Sequence, residues 1–223
     1  MGRVTWGIVT ALEQRKFLNG AKQMGAVSWK DHIAEFDAIK KSIRSGNLEN
    51  VQRILEEKPQ LLNLNTPLGT WLQMAVRAQN PEIVNYLISK KIDVNIGWPD
   101  YQTPLEWACF ESNTKIVQTL LDAGTKIDLS RQETNPLFAA IGGGQSENVK
   151  LLLAYGIDPT IEYEADDGMD AMSHAIIQGQ WDIGRDIAVW IAKGDQDEGD
   201  AIFEKALDKV EAKTGRKLAR PSR

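Results

Sequence analysis

Acid–base and nucleophilic catalysis need convergent histidine, cysteine or carboxylate groups, and this chain offers only two histidines and one cysteine. His32 sits beside Asp31 in a segment with helical spacing, and His174 occupies another, at a position expected to face a neighbouring element. Cys109 directly follows Ala108 inside a third such segment, which reads as a packed, inert thiol rather than a nucleophile. The run Gly142-Gly143-Gly144 has the composition of a phosphate cradle. A helical segment precedes it and no Gly-Lys-Ser/Thr ending follows, so it reads as a weakened helix end. The acidic run Glu162, Glu164, Asp166, Asp167 and Asp170 approaches a calcium loop, but Asp167 stands where that loop needs glycine and Ser173 where it needs a bidentate glutamate. A solvated loop, or an acidic patch facing a basic partner, fits better. The expectation is a chain with no catalytic residue, no cofactor and no metal, and hence not an enzyme.

Composition narrows the function classes further. The chain has 223 residues, 42% hydrophobic and 26% charged, as expected of an ordinary folded domain or array. No apolar run reaches membrane-spanning length, and the N-terminal stretch lacks the pattern of a secretory leader. A single cysteine and the absence of any Asn-x-Ser/Thr sequon fit a reducing compartment, so the expected location is cytoplasmic. The net charge of -5 is unevenly spread, because Lys213, Arg216, Lys217, Arg220 and Arg223 close the chain with five positive charges. The acidic remainder would repel a phosphate backbone, which argues against nucleic acid and for a protein partner, a basic one included.

The elements that position these residues repeat. Segments beginning at Asp37, Thr70, Thr103 and Asn135 align at intervals of 33, 33 and 32 residues, and a weaker copy follows from Asp170 after 35. Apolar side chains recur in register at Ile39, Leu72, Leu105, Leu137 and Met172, and again at Val51, Val84, Val117 and Val149. Pairs such as Ile54–Leu55 and Leu120–Leu121 follow each valine at helical spacing, marking one buried face. Small residues at Ser42, Ala75, Ala108, Ala140 and Ala175 allow hairpins to pack closely. Each unit therefore reads as helix, turn, helix, and no unit buries its apolar face without a neighbour.

The third unit carries Thr103, Pro104, Leu105 and Ala108, then Ile116, Val117, Leu120, Leu121, Gly124, Ile127 and Asp128, and so resembles the ankyrin-repeat family. Ile92-Asp93-Val94-Asn95 in the second unit and Gly156-Ile157-Asp158 in the fourth repeat the family's closing turn, while the signature histidine is missing throughout, with Glu106 in its place in the third. The resemblance implies an all-α ankyrin solenoid of stacked helix-turn-helix units with helical caps. It also implies a non-catalytic module that binds protein through its concave face and projecting turns.

The organisation expected is an N-terminal helical cap over residues 1–35, including helix from Val4 to Met24, and an array of about five units over 36–194. A capping helix over 195–213 and a basic disordered tail over 214–223 complete it. The resemblance points Arg44, Arg77, Phe110, Glu111, Ile177 and Gln178 outward near first-helix ends, and Trp98, Asp100, Tyr101, Gln102 and Gln132 outward in turns, with Arg44, Arg77 and Phe110 as one stripe. Trp71 and Trp107 read as core, and Trp181 and Trp190 as sealing the last unit. A monomer is expected. Two other roles suit the same scaffold: a toxin-neutralising immunity protein, and a scaffold subunit or homo-oligomer.

Overall fold

The computed structural model describes residues 28–64, 66, 68–96, 103–111, 113–163 and 168–218. The helix expected over Val4 to Met24 and the turn residues Trp98, Asp100, Tyr101 and Gln102 lie outside the described residues. The chain divides between Pro104 and Leu105 into two compact units.

In the first unit Ser28 opens a 3-10 turn over Trp29–His32, its hydroxyl accepting from the Lys30 amide. The chain then passes straight into α1 (Ile33–Ser45) without completing a separate helix. Next come α2 (Leu48–Glu57), α3 (Trp71–Arg77) and α4 (Pro81–Ser89). The helices pair as hairpins, with α3 stacked on α1 and α4 on α2. Asn47 and Asn80 cap the second helix of each hairpin, accepting from the amides of Asn50 and Ile83 at 3.0 Å in both cases. Where the family signature has histidine, Gln73 completes a reciprocal cap on α3: its side chain accepts from the Thr70 amide at 2.9 Å, and Thr70 Oγ1 accepts from the Gln73 amide at 3.2 Å. Ile39, Leu72, Val51 and Val84 have 0% exposure, so the aliphatic positions read from the sequence are the seam of this unit.

The second unit contains α5 (Pro104–Glu111), α6 (Thr114–Asp122), α7 (Pro136–Gly142), α8 (Ser146–Tyr155), α9 (Ala171–Ile177), α10 (Trp181–Ile191) and α11 (Gln196–Thr214). First helix again stacks on first helix, α9 against α7, and second on second, α8 against α6 and α10 against α8. Val117, Val149, Ala108, Ala140 and Ala175 are fully buried. The valine position of the last hairpin is held by Gly184, and a Cβ there would come within 2.8 Å of the Phe203 ring of α11. Phe203, 2% exposed, occupies the space that valine fills elsewhere, which explains why the last copy diverges. Helix α11 packs on both α9 and α10 and closes the unit.

Two tryptophans depart from expectation. Trp107 is half-buried, because Leu105, Ala108 and Cys109 form the inward side of α5 and residue 107 flanks it. Trp190 is 43% exposed instead of sealing the last hairpin. Ile187 and Ala188 face inward on α10, and two further residues of helix turn Trp190 to the opposite side.

A buried asparagine ties neighbouring hairpins together. Asn148, 1% exposed, stands where the second and third repeats have Ile83 and Ile116. Its Nδ2 donates to the Cys109 carbonyl at 2.9 Å, and its Oδ1 accepts from Thr114 Oγ1 at 2.9 Å. Asn148→Ala therefore leaves a hydroxyl and a carbonyl short of a partner, and is expected to destabilise the second unit by about 1–3 kcal/mol in urea titrations. A change below about 0.5 kcal/mol would show that water replaces the amide without loss.

Candidate functional site

In the first unit, α1 and α3 carry matching exposed residues at their C-terminal turns, Arg44 and Arg77. The helical period places Lys40 and Arg44 one turn apart on α1, while Ile39 and Ile43 face the core. Lys40, Ile43, Arg44, Leu68, Met74 and Arg77 line a shallow hollow of about 260 Å³. Lys40 Nζ lies 2.6 Å from an Asp37 carboxylate oxygen and 4.8 Å above the Phe36 ring. Leu68, 41% exposed, tips a turn held by Thr66, whose hydroxyl donates to the Gly69 carbonyl at 2.9 Å and accepts from the Leu68 amide at 3.0 Å.

In the second unit, Glu111, Ile177 and Gln178 are exposed at first-helix ends. Phe110 is half-buried instead of standing outward, its ring lying where a Cβ on Gly142 would meet it at 3.9 Å. Its carbonyl accepts from Gln145 Nε2 at 3.1 Å. Gln132 is also half-buried, with Nε2 3.4 Å from His174 Nδ1. His174 faces the preceding hairpin, its ring 5.1 Å from that of Phe138, and Phe138 meets Tyr163 edge-on at 5.4 Å. The Tyr163 hydroxyl accepts from Asn135 Nδ2 at 2.9 Å and donates to the Leu129 carbonyl at 3.1 Å. Phe110 and Gln132 thus help pack the unit, whereas Glu111, Ile177 and Gln178 remain open to solvent.

The residues with chemical potential are engaged in packing or pairing. Cys109 is fully buried, and burial first, then the Glu106 charge, push its thiol far above the usual range, which keeps it protonated. Two members of the acidic run, Glu162 and Asp170, meet the closing helix. Lys209 Nζ lies 2.6 Å from Glu162 and 3.7 Å from Asp170, and Lys213 Nζ donates to the Gly168 carbonyl at 3.0 Å. The hydrogen bond from Lys209 holds the Glu162 carboxyl below its ordinary value. Asp170 also caps α9, accepting from the Ser173 amide at 2.7 Å. Among the described residues, no three histidine, cysteine or acidic groups converge as metal ligands. Also among them, no helix is long and apolar enough to cross a membrane.

A wider groove, of about 1200 Å³, opens between α8 and α10, with Leu153, Val189 and Trp190 among its lining. The sequence reading missed it, because it placed Trp190 inside. Two ion pairs line it, Lys150 with Asp186 at 3.4 Å and Arg185 with Asp182 at 4.0 Å, and Lys193 belongs to the same lining.

The hairpin seam, the asparagine caps and the first-on-first helix stacking are accompanied by a direct match: a family model for ankyrin repeats fits three copies onto residues 36–131. The chain is an ankyrin-repeat protein. Ankyrin repeats are general protein–protein interaction modules. Similar curated proteins include "Zygote-specific protein 3" of Chlamydomonas reinhardtii, 36% identical over 40% of this chain and 24% of that protein. "BCL-6 corepressor-like protein 1" of Homo sapiens is 36% identical over 41% of this chain and 5% of its own length. "Ankyrin repeat and SOCS box protein 11" of Mus musculus is 29% identical over 40% of this chain and 28% of its own. This ankyrin chain thus spans under a third of each of these relatives.

Proposed function

We propose that this chain is a non-catalytic protein-binding module that grips a partner protein through the first-helix ends and the turns ahead of them. One observation carries the reading. The inward positions Ile39, Leu72, Leu105, Leu137 and Met172 stay apolar and buried, whereas the exposed residues at or next to the register of Arg44 change chemistry, to Arg77, Glu111, Ile177 and Gln178. Side chains with no part in the seam are free to be specified by what they touch, and repeat arrays use such surfaces for recognition. The single buried cysteine fits a reducing compartment, and we place the protein in the cytoplasm.

The test has two stages: affinity capture from the source lysate to identify a partner, then hydrogen–deuterium exchange on the reconstituted pair. Protection is expected at the ends of α3 and α9. Arg77→Ala combined with Ile177→Ala is expected to weaken binding at least tenfold, or about 1.4 kcal/mol. Protection confined to α8 and α10, with unchanged affinity in the double variant, would assign binding to the groove beside Trp190 and overturn the reading.

A further inference from the structure

Helix α10 runs further than the second helices before it. Those turn left-handed seven residues after the valine, at Gly124 after Val117 and at Gly156 after Val149. Seven residues after Gly184 stands Ile191, which is still helical. The chain turns only at Lys193 and Gly194, whose amides donate to the carbonyls of Trp190 at 3.0 Å and Val189 at 2.9 Å. Asp182, Asp186, Val189 and Lys193 recur at intervals of four, three and four residues, so they form one stripe along the groove beside the exposed Trp190. The groove, of about 1200 Å³, exceeds the roughly 300–1,000 Å³ of small-molecule sites, and a protein surface suits it better. The charges of the stripe complement themselves end to end. At one end the Asp182 side chain is 97% exposed and touches Arg185 only at 4.0 Å. In the middle Asp186 is compensated within its own chain, by the Ser146 hydroxyl at 2.9 Å and Lys150 at 3.4 Å. At the other end Lys193 is exposed and makes no ion pair among the described residues.

We propose that this face docks a second copy of the chain, with the two α10 helices antiparallel about a two-fold axis. Asp182 and Lys193 are eleven residues apart, or about 16 Å of helix. An axis midway between them brings Asp182 of each copy to Lys193 of the other, so the pair forms twice. The side chains of Val189 and Trp190 are covered between the copies. A parallel arrangement would set Asp182 against Asp182 and Lys193 against Lys193, and like charges in contact disfavour it. One helix of eleven residues presents a patch at the small end of specific interfaces, so the association is weak and depends on concentration. The proposal concerns the second helices, is independent of the reading of first-helix ends as the partner surface, and replaces the monomer expected from the sequence.

Sedimentation equilibrium of the full chain tests it. The average mass is expected to rise from monomer towards dimer between about 10 µM and 1 mM, the range of a weak interface. Trp190→Ala is expected to raise the dissociation constant by about tenfold or more, as loss of a central aromatic does. Asp182→Lys and Lys193→Asp, each measured alone, are expected to weaken association by a similar factor, because each sets like charges together twice. Aspartate tolerates the left-handed φ of 54° at position 193, so the turn survives the exchange. Mixed in equal amounts, the two charge variants are expected to associate about as tightly as the parent, since opposite charges meet again at both ends. That recovery also shows that each variant is folded. Lys115→Asp, an exposed exchange on α6, is expected to change nothing. A monomer mass up to about 1 mM would overturn the proposal. So would a dimer undiminished by Trp190→Ala, or a mixture of the charge variants that associates no better than either alone.

Discussion

Trp71→Ala is expected to lower the opening free energy of the first unit by about 3–5 kcal/mol, the range for removing a buried large aromatic side chain. Trp71 has no exposed surface, lies 5.8 Å from the Phe36 ring, and donates its indole N–H to the Leu61 carbonyl at 2.8 Å. Truncation therefore leaves a cavity beneath α1 and strips a partner from a buried carbonyl, two costs that add. Trp71→Phe fills much of the space and loses only the hydrogen bond, so it is expected to cost about 1–3 kcal/mol. Native-state hydrogen exchange read at the amides of α1 to α4 separates the two. A loss below about 1 kcal/mol for the alanine variant would mean that this tryptophan is not the central packing element of its unit.

Repetition made the seam legible. Val51, Val84, Val117 and Val149 stand 33, 33 and 32 residues apart, and each is fully buried in its own unit, because aliphatic side chains that recur in register mark the face on which the hairpins of a unit stack. What repetition does not encode was not legible. Gly184 has no side chain to announce that Phe203, nineteen residues onward, takes the valine's place. Asn148 breaks the aliphatic pattern, and only the fold shows which carbonyl and hydroxyl satisfy it. Phe110 stands at a position expected to face outward, but the absence of a side chain at Gly142 lets its ring lie down against α7. Lys209 and Glu162 are opposite charges 47 residues apart, a separation at which composition alone cannot distinguish an internal clasp from two independent patches. Arg44 and Arg77 were legible as exposed positions because they stand at one register near the ends of equivalent helices. The cation-rimmed hollow needed Leu68 and Met74, whose seat depends on the turn at Thr66–Gly69.

The glycine run that first suggested a phosphate site leads to the second large effect, and its members are expected to respond in opposite directions. Gly143 ends α7 at an ordinary φ of -82°, so its need for glycine is not conformational. A Cβ there would lie 3.0 Å from the Phe110 carbonyl carbon and closer still to its oxygen, with backbone that cannot rotate aside. Gly143→Ala must push the ends of α5 and α7 apart and break the Gln145 bond to that carbonyl. The expected cost is about 3 kcal/mol, at the upper end for overpacking. Gly142→Ala adds a Cβ in ordinary contact with the Phe110 ring and removes a helical glycine, so it is expected to be neutral or to stabilise by up to about 1 kcal/mol. Urea midpoints of the two variants test the pair directly. Equal shifts would mean that the run only weakens the helix end, whereas a large loss confined to position 143 identifies it as the point where two hairpins pack backbone against backbone.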